Sequence, residues 1–352
     1  MNRTLFTICM TITVVGMGWL LYDIFLRTPA ADYSAQFGKA GPHNEQRSLP
    51  NLPLDIVLEQ NRSRVIARQD DGNIHAWNTA TGKSRLIVWT ESLFAYCRNR
   101  ELLLINASNN VVLIDVASDS KRHVVSGSYD HAAWSKDCSS FAIAGEGSRT
   151  VEVWKTETLT KHATAATKMS VRNGVAMSDN GQFVAAATGT YNEKPDQIGR
   201  GTGHRTTLEI FEVLGEAQMT RTASLNDPKT IIGMWTMAFA PDSQALIVGS
   251  QIDAKSGLRT IRPQNGDVSW EQNGFESYWV RALAISPNGQ LAVSGDEKGL
   301  LRGWDVETGE RKFERRTGLV IQSLAFSEDG KTLAMALWDS TIGLLDVAEL
   351  EK

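Results

Sequence analysis

Apolar and polar residues alternate with a period of two along most of this chain, in short runs separated by turn residues. The clearest example is residues 278–318, which contain the runs ALAIS, LAVSG, LLRGWDV and RKFER. The connections carry Asn and Gly, as in the Ser-Pro-Asn-Gly that starts at Ser286, and these residues tolerate positive φ in tight turns. The pattern predicts three short strands and a weaker fourth, connected as an antiparallel meander.

Rougher copies of this unit fill the rest of the chain. Seven units fit between about residue 53 and the C-terminus when they are aligned on their third strands. The aligned positions in these third strands are Trp77, Ile114, Trp154, Phe211, Ile261, Trp304 and Leu345. Tandem copies of a short all-strand unit predict a repeat protein in which each unit packs on its neighbours.

The unit resembles the WD40 repeat. Trp304-Asp305 closes the third strand where that family carries its signature, and the dipeptide has decayed to Leu345-Asp346 in the next unit and to Trp77-Asn78 in an early one. The resemblance implies an all-β fold, a seven-bladed β-propeller of four-stranded antiparallel blades over residues 52–352. It also implies a protein-interaction scaffold with no catalysis of its own.

This sequence departs from the WD40 pattern in one respect that affects stability. The Gly-His dipeptide of the family occurs only as Gly203-His204, which is out of place, so the Asp–His–Ser–Trp network of the family is expected to be partial. Packing is then expected to carry more of the stability. The predicted structural repeat positions are Trp77, Trp154, Ser294, Asp296, Trp304, Asp305 and Asp346.

The last unit ends after its third strand. An open array would leave an incomplete sheet with an unpaired edge. The resemblance implies that residues just before the first unit, around 45–52, supply the missing outer strand and close the ring.

The N-terminal segment predicts a membrane anchor. Residues 5–22 carry no charge, and a helix of that length, at about 1.5 Å per residue, nearly matches a hydrocarbon layer of roughly 30 Å. We expect an anchor over 1–27 and a tether over 28–51; a cleaved signal peptide and a buried helix are the alternatives. The positive charges that flank this stretch, Arg3 before it and Arg27 and Lys39 after it, barely discriminate between the two membrane orientations. We expect the propeller to lie outside the cytoplasm, in the periplasm if the host is bacterial.

The net charge and the cysteine content bear on which partners the chain can bind and on whether it forms disulfides. The net charge is −4 with both signs intermixed, so the chain lacks the basic stripe that nucleic acid binding requires. Of the three cysteines, Cys97 falls near the end of a first strand and Cys138 in the hairpin turn of the following unit. We expect both to be unpaired; the alternative is a disulfide, which would need their Cα atoms within about 7 Å.

No motif indicates catalysis. The six histidines are scattered, and the sequence contains no His-Glu-x-x-His, Cys-x-x-Cys, Gly-x-Ser-x-Gly or Gly-rich phosphate loop before a helix. The sequence therefore predicts no catalytic residue, no metal site and no cofactor.

Partner binding is predicted at one face of the propeller. An insertion over 191–205 lengthens the second-to-third-strand hairpin of the fourth unit, and other candidates begin first strands near the channel mouth. Basic side chains there suit an acidic or phosphorylated protein. The alternatives are a solvated surface loop and packing between blades. The candidates are Tyr191, Lys194, Arg200, His204, Arg205, Trp235, Trp279 and Arg281.

Two further functions remain open. The stretches AWNTATGKSRLIVW from Ala76 and NGDVSWEQN from Asn265 resemble the tryptophan-docking repeats of quinoprotein propellers, which implies an enzyme with pyrroloquinoline quinone or a propeller with no cofactor. The sequence lacks the adjacent cysteines and the calcium-binding carboxylates of those dehydrogenases. The other alternative is an envelope propeller that binds a small ligand or peptide in its channel.

Overall fold

The computed structural model describes residues 45–48, 53–59, 64–79, 81, 83–190, 205–215, 217–225, 233–252, 255–275 and 279–350. All of them belong to one compact unit, Pro42–Lys352. In these ranges 28 strands form seven four-stranded antiparallel sheets, the blades, which are numbered here in chain order. The predicted all-β seven-bladed propeller is confirmed.

The strands of the first four blades follow the chain. Blade 1 contains β2 (Pro53–Leu58), β3 (Arg64–Gln69), β4 (Asn73–Asn78) and β5 (Ser84–Trp89). Blade 2 contains β6 (Phe94–Cys97), β7 (Leu102–Ala107), β8 (Asn110–Asp115) and β9 (Ser120–Ser126), with a 3-10 turn at Arg98–Arg100. Blade 3 contains β10 (His131–Trp134), β11 (Ser140–Ala144), β12 (Thr150–Lys155) and β13 (Thr160–Ala166). Blade 4 contains β14 (Ser170–Met177), β15 (Phe183–Thr190), β16 (Arg205–Val213) and β17 (Met219–Leu225).

The remaining blades include the strand that closes the ring. Blade 5 contains β18 (Gly233–Phe239), β19 (Leu246–Ile252), β20 (Lys255–Ile261) and β21 (Val268–Phe275). Blade 6 contains β22 (Val280–Ile285), β23 (Leu291–Asp296), β24 (Leu300–Asp305) and β25 (Arg311–Arg316). Blade 7 contains β26 (Ile321–Phe326), β27 (Thr332–Leu337), β28 (Thr341–Asp346) and the early strand β1 (Glu45–Ser48), and the short helix α1 (Val347–Leu350) follows β28.

Burial within a blade follows its distance from the channel. Every residue of β23 is buried, because both faces of this second strand are covered by neighbouring blades. The outer strand β25 keeps only Phe313 buried and exposes Arg311, Lys312 and Glu314. The core therefore lies between the blades, where each buried large apolar side chain contributes about 1.5–3 kcal/mol.

The ring is closed by side-chain packing between blades 1 and 7 and by backbone pairing of an early strand with the last one. Leu58 and Val65 of blade 1 pack in one apolar cluster with Ala325 and Ala334 of blade 7. The strand β1 pairs with β28, from Glu45 opposite Leu344 to Ser48 opposite Thr341. The expected closing strand is thus confirmed, and its contacts join residues from the two ends of the described chain.

Prolines in the closing strand should destabilise the ring. We expect the double substitution Gln46→Pro and Arg47→Pro to lower the free energy of unfolding by about 3 kcal/mol, because one of these two neighbours donates its N–H to β28 and proline has no N–H. Thermal and denaturant unfolding of the full chain measure this. The matched control is Gln46→Ala with Arg47→Ala, which keeps the backbone donors. Equal stability of the two variants would show that β1 does not hold the ring.

One expectation about cysteine is wrong. Cys97 and Cys138 form a disulfide, with Cα atoms 6.0 Å apart across 41 residues of sequence. Cys97 ends β6 in blade 2, and Cys138 lies in the turn between β10 and β11 in blade 3. Propeller packing places the ends of adjacent first strands side by side, which spacing along the chain does not show.

The predicted membrane anchor, 5–22, and most of the predicted tether lie outside the described residues. Among the residues that are described, no helix has both the length and the apolar character that crossing a bilayer requires.

Candidate functional site

The predicted repeat positions of blade 6 form two buried groups of polar contacts. Trp304 Nε1 donates to Ser294 Oγ at 2.9 Å. Asp296 Oδ1 accepts the backbone N–H groups of Lys298 and Leu300, each at 2.9 Å. These bonds do not join the two groups: Trp304 is bonded to Ser294, and Asp296 closes the turn between β23 and β24.

Arg302 is a buried partner of Asp296 that the sequence analysis missed. Its Nη1 donates to Asp296 Oδ2 at 3.1 Å and its Nε to Glu314 Oε2 at 2.9 Å. Arg302 is 5% exposed and Asp296 only 1%. Burial raises the pKa of Asp296, while the backbone donors and Arg302 oppose that shift. The sequence did contain one sign of this contact, because Arg302 is a charged residue inside the apolar run LLRGWDV. A buried charge of this kind needs a buried partner.

The other signature positions are structural as well. Trp154 Nε1 donates to Glu152 Oε2 at 3.0 Å, and Trp77 stacks on His75 with ring centroids 4.9 Å apart. Asp305 Oδ1 accepts the backbone N–H of Thr308 at 2.9 Å and thereby closes the turn after β24. Asp346 accepts the N–H of Ala348 in the same way, also at 2.9 Å.

First-strand bulges mark one end of the channel. The register shifts near the start of the first strand in blades 1, 4, 5, 6 and 7. A bulge turns the extra residue out of the ladder and re-aims its side chain, and bulges concentrate at barrel rims and beside functional sites. We call these positions the bulged rim: Leu54, Arg172–Gly174, Trp235, Arg281 and Gln322.

Two of the predicted partner-binding residues lie at the bulged rim. Arg281 and Trp235 are the bulged residues of β22 and β18, and Trp279 immediately precedes β22. The Arg281 guanidinium lies 5.3 Å from the centroid of the Trp279 ring. Arg281 Nε is buried and donates to no acceptor among the described residues. The side chain of Trp235 lies outside the described part.

Arg172 adds a second guanidinium to the bulged rim, which the sequence analysis did not identify. Its Nη1 lies 3.1 Å from Glu146 Oε1, and the other oxygen of Glu146 lies 3.2 Å from His131 Nε2. The rim therefore carries cationic side chains in two blades, with one carboxylate opposite Arg172. No sequence motif distinguishes Arg172, because the bulge that presents it depends on strand pairing.

The predicted insertion leaves the fold at the same end. Ser170, at the start of β14, pairs with Gly189, so the hairpin between β15 and β16 lies at the rim end of blade 4. Arg205 begins β16 and pairs with Thr190. Tyr191, Lys194, Arg200 and His204 lie outside the described residues.

Within the described ranges, no group of three or more His, Cys, Asp or Glu side chains is arranged to hold a metal ion. The described side chains of the bulged rim include the Arg281 guanidinium beside Trp279 and the Arg172 guanidinium beside Glu146.

Comparison with known proteins agrees with this architecture. Residues 269–305 match the family "WD domain, G-beta repeat", a span that runs from β21 of blade 5 to the end of β24 in blade 6. One sequence repeat thus joins the outer strand of one blade to three strands of the next. The same offset explains why the early strand β1 completes blade 7.

Similar proteins share only parts of the chain. WD repeat-containing protein SL1-17 of Schistosoma mansoni is 32% identical over 116 residues, 33% of this chain and 37% of that protein. Small ribosomal subunit protein RACK1z of Oryza sativa subsp. japonica is 39% identical over 62 residues, 18% of this chain and 19% of that protein. Quinoprotein ethanol dehydrogenase of Pseudomonas putida is 30% identical over 111 residues, 28% of this chain and 17% of that protein.

The chain therefore spans less than two fifths of the length of each of these relatives. The matched repeat and the seven four-stranded blades together support a WD40 propeller.

Proposed function

We propose that this WD40 propeller is a non-catalytic scaffold that binds another protein at the bulged rim. The observation that carries the proposal is the Trp279–Arg281 pair, a guanidinium 5.3 Å from an indole centroid at a strand bulge. Trp and Arg dominate the binding energy of protein interfaces. A pair held by the backbone at a channel mouth loses little conformational entropy when a partner binds.

The partner is a protein with an acidic or phosphorylated segment. Arg281 places a guanidinium beside Trp279 at the rim, and a carboxylate or phosphate group of the partner would pair with that charge. Arg172 lies on the same rim, and the insertion over 191–205 adds Lys194, Arg200 and Arg205 from sequence. Planar guanidinium groups suit bidentate recognition of such anions.

We further propose that the propeller is tethered to a membrane and lies outside the cytoplasm. The uncharged stretch over residues 5–22 supports the tether. The Cys97–Cys138 disulfide supports an oxidising compartment, since disulfides are rare where cellular reductants keep thiols reduced. Alkylation of free thiols in intact cells tests the location: thiols at these positions in the native protein would contradict it.

Reversal of charge at the rim should weaken partner capture. We expect Arg281→Glu to reduce the recovery of at least one cross-linked partner by about tenfold or more, because a rim cation becomes an anion facing an acidic segment. The matched control is Arg122→Glu, on the exposed outer strand of blade 2. Quantitative mass spectrometry of proteins captured from membranes by full-length variants measures this. Identical capture of partners by both variants would exclude the bulged rim as the binding surface.

The quinoprotein similarity supports one alternative, a quinone-dependent enzyme. An absorbance spectrum of the purified protein, recorded with and without added pyrroloquinoline quinone and calcium, distinguishes the two functions. A stoichiometric quinone band, or alcohol oxidation by the reconstituted protein, would replace the scaffold proposal with the enzyme.

A further inference from the structure

A cavity of about 380 Å³ occupies the channel at the end opposite the bulged rim. All seven blades line it, through the later residues of their first strands and the turns that follow. The bulges lie near the start of the first strands, so the two features mark opposite mouths of one channel. A volume of this size lies within the range of small-molecule pockets, about 300–1,000 Å³.

Most of the cavity wall is apolar. Trp134, Phe239, Leu283 and Leu324 line it, from four different blades. Trp134 is held in place because its Nε1 donates to the carbonyl of Ala95 at 3.1 Å. An apolar wall of fixed side chains favours a molecule with an apolar body.

At this mouth, Lys136 forms an ion pair with Asp179, whereas the charge of Arg98 is not balanced by a carboxylate in contact with it among the described residues. Arg98 Nη1 donates to the carbonyl of Phe326 in blade 7 at 3.0 Å, and Arg98 makes no ion pair with a carboxylate of the described residues. Burial lowers the pKa of Arg98, although Glu328 and Asp179 act in the opposite direction. The remaining guanidinium donors are therefore open to an anion, which would stabilise the charge.

The backbone that carries Arg98 is fixed on both sides. Cys97 is joined to Cys138 of blade 3, and Asn99 Nδ2 donates to the carbonyl of Lys136 at 2.6 Å. Lys136 in turn pairs with Asp179 at 3.3 Å, which balances that carboxylate. Of the two carboxylates that act on Arg98, Asp179 is thus paired, and Glu328 is exposed to solvent. A charge held this way costs little ordering entropy on binding.

We propose that this mouth binds a small organic carboxylate with an apolar body. The Arg98 guanidinium receives the carboxylate, and the apolar wall takes the rest of the molecule. A free aromatic or aliphatic acid and a peptide C-terminus with an apolar last residue present the same chemistry. This site is separate from the bulged rim and does not depend on partner binding there.

Titration calorimetry of the full-length chain with 4-phenylbutyrate and with its amide tests the proposal, with the detergent alone as blank. We expect the acid to bind at least about tenfold more tightly than the amide, because only the acid forms a charge-assisted pair. N-acetyl-Ala-Phe and its C-terminal amide form the second arm. Binding of the peptide acid would identify a peptide terminus as a source, and its absence alongside phenylbutyrate binding would identify free acids.

The variants assign the binding to one side chain. Arg98→Met should raise the dissociation constant of phenylbutyrate about tenfold or more, and Arg98→Lys by less, since lysine keeps the charge but loses the fork. The matched control Arg100→Met, from the same 3-10 turn, should bind as the native chain does. Glu328→Gln should tighten binding, because it removes the opposing charge.

If Arg98→Met fails to fold, the dissociation constants of Arg98→Lys and Glu328→Gln still test the proposal. Equal binding of acid and amide, unchanged binding by a folded Arg98→Met, or no binding up to about 10 mM would overturn the proposal. Arg281→Glu should leave phenylbutyrate binding unchanged, which separates this site from the rim.

Discussion

Replacement of Asp296 by alanine is expected to lower the free energy of unfolding by about 3–5 kcal/mol. The substitution leaves the buried Arg302 guanidinium without the carboxylate 3.1 Å away, and breaking one half of a buried ion pair is costly. It also leaves two backbone N–H groups, of Lys298 and Leu300, without their acceptor. Denaturant unfolding of the full chain measures the change.

Two further variants separate the charge effect from lost packing. Ser294→Ala removes only the hydrogen bond from Trp304 and should cost about 1 kcal/mol. The double variant Asp296→Leu with Arg302→Met removes both charges and should be more stable than Asp296→Ala, because the guanidinium that loses its buried carboxylate is removed as well. If Asp296→Ala cost no more than Ser294→Ala, Arg302 would not depend on this carboxylate.

Loss of the Cys97–Cys138 disulfide should lower the free energy of unfolding by about 4 kcal/mol. The bond closes a loop across 41 residues of sequence, and the chain-entropy relation gives this value for a loop of that length. We expect the double variant Cys97→Ala with Cys138→Ala to show the decrease in denaturant unfolding under oxidising conditions.

The matched control is the native chain with and without reductant. Reductant should destabilise the native chain by a comparable amount and leave the double variant unchanged, because the variant has no bond to reduce. An equal response of both proteins to reductant would contradict a bond between these cysteines. Mass spectrometry of the alkylated protein identifies the thiols directly.

Much of the scaffold was predictable from local pattern. Period-two alternation and Asn-Gly turns located the strands, and aligned positions such as Trp77, Phe211 and Leu345 do lie in the third strands of their blades. The closing strand was expected from resemblance to a family, and pairing of β1 with β28 confirmed it. The first-strand positions of Trp235 and Arg281 were also predicted, though not the bulges that present them.

The features that were missed depend on contacts between blades or between strands. Spacing along the chain treats Cys97 and Cys138 as unrelated, yet adjacent first strands end side by side in the ring. Arg302 looks like an irregularity in an apolar strand until Asp296 and Glu314 are seen around it. The position of Arg98 beside Phe326 joins blades 2 and 7, which no local pattern relates.

The amino-acid sequence by itself determined the strands, their order and the repeated unit of this protein, because side-chain alternation and turn chemistry act between near neighbours in the chain. Only the tertiary structure decided which cysteines bond, which buried charges pair and which side chains face each mouth of the channel. Those outcomes require residues from different blades to meet, and closure of the ring is what brings them together.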